Sequence, residues 1–235
     1  MIDVHNHLLF GIDDGSKSLE DSVLIIRKLS EIGITDIILT PHFITDSSYV
    51  SSRENNLILM EKLKNALDEN NINVNLYLGN EIYIDREIEK LIYEKKISKL
   101  NNTNYLLIEL PMSGEWEGYQ DVFMDLINDG YNVVLAHPER YNSFQADFDK
   151  IYELEEIGVL FQCNIGSVIG NYGRTAKKII KRMLKEDLIY MFGTDIHRDK
   201  GDYNFLSDAK KIIRKYTSDE KMNDLLVNNA KKIIQ

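Results

Sequence analysis

Two closely spaced pairs of residues are the features whose types and spacing most directly suggest chemistry. His5 and His7 are separated by one residue, and so are Asp195 and His197. Side chains two residues apart on a β-strand point to the same face, so each pair can direct two ligands at one metal ion. Imidazole nitrogens and carboxylate oxygens are both common ligands of divalent metals. Each pair is therefore a candidate part of a metal site.

Five further candidate metal ligands each stand alone after a short apolar run. They are Asp14 in D-D-G, His42 in T-P-H, Glu81 in G-N-E-I, Glu109 in L-I-E-L-P and His137 in A-H-P-E-R. All these candidates together exceed what one tetrahedral site can use, and they suit two or three divalent ions with bridging carboxylates. Mixed nitrogen and oxygen ligation without thiolates favours Mn, with Fe or Zn as alternatives.

The elements that must position these residues are short β-branched and aromatic runs that alternate with longer helical patterns, as in successive βα units. All five histidines stand at or just beyond the ends of such runs. The expected strands are Ile2–His5, Asp36–Thr40, Asn75–Glu81, Tyr105–Glu109, Asn132–Ala136, Val159–Asn164 and Ile189–Gly193. The expected helices are one from Ser18 to about Gly33, then Ser52–Glu69, Arg86–Glu94, Gln120–Asp129, Asp147–Glu156, Gly173–Lys185, Asn204–Lys215 and a tail helix from about Ser218.

Parallel strands joined by helices form either an open doubly wound sheet or a barrel. The sequence contains no G-x-G-x-x-G or G-x-x-x-x-G-K loop, so the nucleotide-binding versions of these folds lose support. Barrels place their chemistry at the C-terminal ends of the strands, where the histidines fall. No linker rich in Pro, Gly or Ser divides the chain, and we expect a single domain over residues 1–235.

Composition excludes several classes of protein. The 38 acidic and 28 basic residues give a net charge of -10, which argues against a nucleic-acid partner. Cys163 is the single cysteine, so neither an intrachain disulfide nor a cysteine-cluster site can form. Ile169 stands where a C-x5-R phosphatase motif needs its arginine, which excludes that mechanism. We expect no signal peptide, no membrane span and a cytoplasmic location.

The ordered motifs resemble those of the polymerase-and-histidinol-phosphatase (PHP) superfamily. They are I-D-V-H-N-H, D-D-G, T-P-H, G-N-E-I, I-E-L, A-H-P-E-R and T-D-I-H, and they span residues 2–197. D-D-G combined with H-P-E-R is most similar to the bacterial capsule-type protein tyrosine phosphatases, which depend on metals. The resemblance implies an α/β fold, a distorted seven-stranded (β/α)7 TIM-like barrel of the PHP type.

The resemblance also implies a role for each motif residue. Arg140 in H-P-E-R would hold the substrate phosphate. Asp202 stands where relatives carry a further arginine, so Arg198 or Lys200 is a candidate replacement. The implied metal ligands are His5, His7, Glu81 and Asp195 for one ion, Glu81, Glu109 and His137 for a second, and Asp14, His42 and His197 for a third.

The function that follows is hydrolysis of phosphotyrosine on a bacterial tyrosine kinase of capsule or exopolysaccharide synthesis. Bound metals would lower the pKa of water and supply hydroxide. Arg140 would clamp phosphoryl oxygens, Asp14 would assist as an acid, and Trp116 would stack on the tyrosyl ring. Alternatives on the same site are a small phosphomonoesterase acting on a substrate such as histidinol phosphate, a nuclease, and a metal-binding scaffold without activity. The oligomeric state is not indicated.

Overall fold

The computed structural model describes residues 1–113, 118–199, 201 and 203–235. It also describes the backbone of Glu117, but not its side chain. Trp116, the residue expected to stack on a tyrosyl ring, lies outside the described residues. Lys200 and Asp202 lie outside them as well.

The described residues form nine parallel strand segments in two sheets. The sheets have the strand orders β1-β2-β4 and β3-β5-β6-β7-β8-β9, and a parallel bridge between Asn6 and Ile196 joins the start of the chain to its last strand region. The result is a curled parallel sheet with the helices outside it. The strands are β1 (Ile2–Asp3), β2 (Asp36–Leu39), β3 (His42–Phe43), β4 (Asn75–Leu78), β5 (Glu81–Tyr83), β6 (Tyr105–Glu109), β7 (Asn132–Ala136), β8 (Leu160–Asn164) and β9 (Met191–Gly193).

Nine strand segments stand where seven strands were expected, because β3 lies beyond the end of the expected strand Asp36–Thr40 and the expected strand Asn75–Glu81 is interrupted. Two residues separate β2 from β3, and Gly79 and Asn80 separate β4 from β5. At the first break, the hydroxyl of Thr40 accepts a hydrogen bond from the backbone of Asn6 at 3.0 Å. Pro41 has no backbone N–H, although its carbonyl accepts from the Glu81 N–H at 3.1 Å. The neighbouring chain segments therefore keep their register across the break, although the regular β-sheet hydrogen bonding is interrupted there.

Helices follow most strands, and their ends agree with local signals. The Ser18 side chain accepts a hydrogen bond from the Asp21 N–H and begins the first helix, as S-x-x-D predicts. Among the described helices, none has the length and apolar character needed to cross a membrane. The α-helices are α1 (Leu19–Glu31), α2 (Arg53–Glu69), α3 (Ile88–Tyr93), α4 (Gln120–Asn128), α5 (Asn142–Ala146), α6 (Asp149–Glu156), α7 (Ile165–Ile169), α8 (Gly173–Lys185), α9 (Phe205–Ile213), α10 (Asp219–Asn223) and α11 (Asn229–Ile234).

The inside of the curled sheet is divided into an apolar layer and a polar layer. Leu107, Val134 and Met191 belong to a buried cluster that Ile233 of α11 closes. Two residues further along β6 stands Glu109, on the same face as Leu107 because side chains alternate along a strand. The apolar layer thus forms a floor beneath the strand ends that carry the candidate ligands.

Candidate metal centre

Glu81, the first residue of β5, lies at the centre of the candidate ligands. Its Oε1 is 3.1 Å from His5 Nε2 and 3.0 Å from His137 Nε2. Its Oε2 is 3.3 Å from His7 Nε2 and 3.0 Å from His42 Nδ1. The side chain of Glu81 is 1% exposed. One buried carboxylate therefore contacts four of the five histidines.

The other three carboxylates extend this group in three directions. Asp195 Oδ1 lies 3.7 Å from His5 Nε2 and 3.5 Å from His7 Nε2. It is also 3.5 Å from His197 Nδ1. Asp14 Oδ1 lies 3.4 Å from His197 Nε2, and its side chain is 44% exposed.

Glu109 extends the group beside His137 and His42. Its Oε1 is 3.6 Å from His137 Nε2, and its Oε2 is 3.7 Å from His42 Nδ1. The structure therefore brings all nine predicted residues together. Three sets have ligand atoms within 4.8 Å of one another: His7, Asp14, His42 and His197; His5, His7 and Glu81; and His42, Glu81 and Glu109.

Backbone conformation at two strand ends helps to aim these side chains. His137 has a φ of 35° and Asp195 a φ of 51°, both in the left-handed region that non-glycine residues rarely adopt. Such conformations concentrate at functional sites, where packing holds them in place. Gly193 permits the close approach, since a Cβ there would lie 2.6 Å from the Cβ of His5.

Two residues that the ligand prediction did not include hold the outer nitrogens of the first histidine pair. Asp13 Oδ2 lies 2.8 Å from His7 Nδ1 and also accepts a hydrogen bond from the His42 N–H at 3.1 Å. Gln162 Oε1 lies 2.7 Å from His5 Nδ1. With Nδ1–H donated outward, each Nε2 is an acceptor facing the cluster. Partners of this kind fix the tautomer and orientation of metal-binding histidines.

The polar atoms that face the centre fit a cation. His5 Nε2, His7 Nε2, His42 Nδ1 and Glu81 Oε2 are buried, and none has a hydrogen-bond partner of normal geometry in the described part of the chain. Buried polar groups are normally paired, because leaving them unpaired is costly. A divalent ion would satisfy such nitrogen and oxygen atoms together.

The electrostatics of the cluster also favour a bound cation. Burial opposes charge on His5, but Glu81 and Asp195 outweigh it and raise its pKa to about 9. Burial and the Glu81 charge raise the pKa of Glu109. Burial alone would raise the pKa of Asp13, but the hydrogen bond with His7 lowers it to about 2. The carboxylates thus draw positive charge strongly to this point, and metal binding would displace the protons.

Arg140 lies at the edge of the cluster. Its Nη1 donates a hydrogen bond to Asp195 Oδ2 at 2.6 Å, and its guanidinium carbon lies 4.6 Å from the centre of the Tyr172 ring. Asn164 Nδ2 and the Tyr172 hydroxyl donate to the same oxygen at 2.7 and 3.3 Å. The neighbouring Glu139 is buried and bonds Ser167 instead, so a surface pair between Arg140 and Glu139 is excluded.

Two other sequence predictions concern Arg198 and Cys163. Arg198 is exposed and borders a cavity with Lys17 and Asp199, beyond His197. Cys163 is fully buried, its Sγ lies 3.9 Å from Met183 Sδ, and burial raises the pKa of its thiol well above the usual value. A thiol in that environment stays protonated and is a core residue, as expected.

Known proteins resemble this chain along most of its length. CapC of Staphylococcus aureus is 34% identical over 198 residues, which cover 84% of this chain and 77% of CapC. The tyrosine-protein phosphatase YwqE of Bacillus subtilis is 30% identical over 235 residues, covering 100% of this chain and 92% of YwqE.

A solved structure is also similar to this chain in its three-dimensional fold. It comes from work on YwqE of Bacillus subtilis and CpsB of Streptococcus pneumoniae, described as unique metal-dependent tyrosine phosphatases. The TM-score is 0.77 with 28% identity, over 92% of this chain and 96% of the other. The family model for capsular polysaccharide synthesis, CpsB/CapC, matches residues 1–235. The chain therefore belongs to the CpsB/CapC family, in agreement with the resemblance that its motifs carry.

Proposed function

We propose that this chain is a metal-dependent protein-tyrosine phosphatase that acts on a phosphotyrosine-bearing bacterial tyrosine kinase of capsule or exopolysaccharide synthesis. The observation that carries the proposal is Arg140 beside a largely buried cluster of five histidines and four carboxylates. Relatives named tyrosine-protein phosphatases support the choice of substrate. We further propose one domain over residues 1–235. The two broken strands, joined across their two-residue gaps, would give a seven-stranded barrel.

The nine side chains would hold two or three divalent ions, with Mn as the first candidate and Fe or Zn as alternatives. We keep Glu81 as the bridging ligand because it contacts four histidines. The geometry adds two shared positions to the expected division: His7 also faces Asp14 and His197, and His42 also faces Glu109. His137 would bind beside Glu81 and Glu109 through Nε2.

When bound, the divalent ions would supply a nucleophile from water at neutral pH and offset charge on the phosphoryl oxygens. Arg140 would bind two phosphoryl oxygens with its planar guanidinium while Asp195 keeps that group in place. The water oxygen bonds to phosphorus, the bond from phosphorus to the tyrosyl oxygen breaks, and the products are tyrosine and inorganic phosphate.

Asp14 is the carboxylate of the set that a leaving group can best reach, because its side chain is 44% exposed. Where it is not fully committed to a metal ion, we assign it proton donation to the departing tyrosyl oxygen. The leaving group needs little help from an acid, because the phenol of tyrosine has an ordinary pKa of roughly 10 and its phenolate leaves more easily than an alkoxide. Arg198 is exposed at the border of the site and stays a candidate for contact with the substrate protein.

The test is a phosphatase assay on metal-free protein reconstituted with Mn²⁺, using matched phosphotyrosine and phosphoserine peptides and histidinol phosphate. We expect phosphotyrosine to have the highest kcat/KM. Preference for histidinol phosphate would replace the proposal with a small-molecule phosphatase. No hydrolysis of any of the three by metal-loaded protein would refute phosphatase activity.

A further inference from the structure

A cavity of about 400 Å³ opens beside Tyr172, between the end of β9 and helices α7 and α9. Its floor includes the buried Ile165 and Ile196, and Ile169 and Phe205 form part of its partly exposed rim. The volume lies in the range of small-molecule sites, which are lined mainly by apolar and aromatic side chains. No Lys, Arg, Asp or Glu is among the described residues that line it.

Tyr172 borders both this cavity and the cluster. Its ring lines the cavity, while its hydroxyl lies 3.3 Å from Asp195 Oδ2 and its ring centre lies 4.6 Å from the Arg140 guanidinium carbon. The strand end provides a second connection, because Thr194 and Ile196 line the cavity and flank Asp195. The cavity is therefore one aromatic ring away from the proposed phosphate-binding group.

The position of Tyr172 depends on a glycine. A Cβ at Gly166 would lie 3.2 Å from Tyr172 Cε2 and 3.3 Å from Asn171 Nδ2, tighter than nine in ten real Cβ contacts. The backbone of α7 thus comes directly against the Tyr172 side chain, and the Arg140 guanidinium stacks on its ring. These two contacts hold the Tyr172 ring at the edge of the cavity.

We propose that this cavity receives the aromatic ring of the phosphotyrosine substrate while Arg140 holds its phosphate. The inference rests on the proposed function and adds the part of the site that selects the substrate. A tyrosyl ring joins its phosphate through a single oxygen, so the ring of a substrate held by Arg140 lies within reach of the cavity that Tyr172 borders. Tyr172 offers an aromatic face to that ring, and Ile169 and Phe205 offer apolar contacts. Phosphoserine has no ring to fill this space.

The experiment compares two unreactive probes, benzylphosphonate and methylphosphonate, which share the charged group and differ by the ring. Their dissociation constants for Mn²⁺-loaded protein are measured by calorimetry. Burial of an aromatic ring predicts that benzylphosphonate binds roughly 10- to 100-fold more tightly. In Ile169→Trp, whose larger side chain fills the cavity, the ratio should fall towards one while methylphosphonate binding is unchanged.

The matched control is Ile58→Trp, at an isoleucine of α2 that is 52% exposed, and it should keep the normal ratio. Phe205→Ala provides a second change at the cavity and should lower the ratio at least several-fold by removing apolar contact. Methylphosphonate binding at the normal affinity shows that each variant is folded and keeps its phosphate site.

The outcomes separate the cavity from the phosphatase assignment. A normal ratio in both Ile169→Trp and Phe205→Ala, in protein that hydrolyses phosphotyrosine peptide, would overturn the cavity and leave the proposed function standing. Equal affinity of the unmodified protein for the two probes would also overturn the cavity and leave the proposed function standing. Failure of the protein to bind either phosphonate would remove the phosphate site and the cavity together.

Discussion

Replacing Arg140 with alanine removes the guanidinium that the structure places between Asp195 and Tyr172. A charge-assisted hydrogen bond to a phosphoryl oxygen is worth about 1.5–3 kcal/mol. At about 1.4 kcal/mol per factor of ten, the loss corresponds to a fall of roughly 10- to 150-fold in kcat/KM for a phosphotyrosine peptide. Arg140→Lys should recover only part of the activity, because a point charge cannot bind two oxygens as a planar fork does.

The contacts around Asp195 predict what happens to the metal in this variant. After Arg140 is truncated, Asp195 Oδ2 still accepts from Asn164 at 2.7 Å and from Tyr172 at 3.3 Å. The carboxylate therefore keeps its orientation, and metal content measured by elemental analysis should stay normal.

A matched control is available on α8, where Arg182 also pairs with a carboxylate and stacks on an aromatic ring. It lies 3.1 Å from Glu186 and 3.8 Å from the Phe148 ring centre, with a side chain that is 45% exposed. Arg182→Ala should leave kcat/KM unchanged. Unchanged kcat/KM in Arg140→Ala would refute the phosphate contact, and a loss that tracks metal loss would assign Arg140 to positioning Asp195.

Two further substitutions test the surroundings of the cluster. Cys163→Ser should keep most of its kcat/KM, because the buried thiol is far from ionising at neutral pH; a loss of several orders of magnitude with normal metal content would contradict this. Asp13→Ala should weaken metal binding roughly 10- to 100-fold by releasing His7 Nδ1, as measured by calorimetry. The exposed Asp125→Ala is its control, and an unchanged affinity in Asp13→Ala would show that Asp13 does not position His7.

Much of the scaffold follows from local patterns in the sequence. Both Tyr105–Glu109 and Asn132–Ala136 are strands with the expected bounds, and Gly173–Lys185 is the expected helix. These segments have clear boundaries and a single periodicity. The residues at Ile165–Ile169 were not expected to form a helix, because five residues, one of them glycine, are too few to show a helical period. β1 and β9 are each two residues shorter than expected, although backbone hydrogen bonds from Asp195 N–H to the His5 carbonyl and from Tyr190 N–H to the Phe161 carbonyl continue the pairing beyond their bounds.

The ligand cluster was predictable because most of its members lie at or just beyond the ends of the strands expected from the sequence, and parallel strands bring those ends together. Their partners were harder to assign. Asp13 and Asp14 are adjacent in D-D-G, and only the fold distinguishes the residue that holds His7 from the one that faces His197. Tyr172 lies on no motif, and its contact with Asp195 depends on how α7 and α8 pack. Such contacts between distant segments have no local signal.

The most direct test of the central claim is a Mn²⁺ titration of metal-free protein in which metal binding and phosphotyrosine hydrolysis are measured on the same samples. We predict that activity appears together with the binding of two or three ions per chain. Glu81→Gln, which weakens the carboxylate that contacts four histidines, should lose both. Full activity in metal-free protein, or normal metal binding and hydrolysis in Glu81→Gln, would contradict the account.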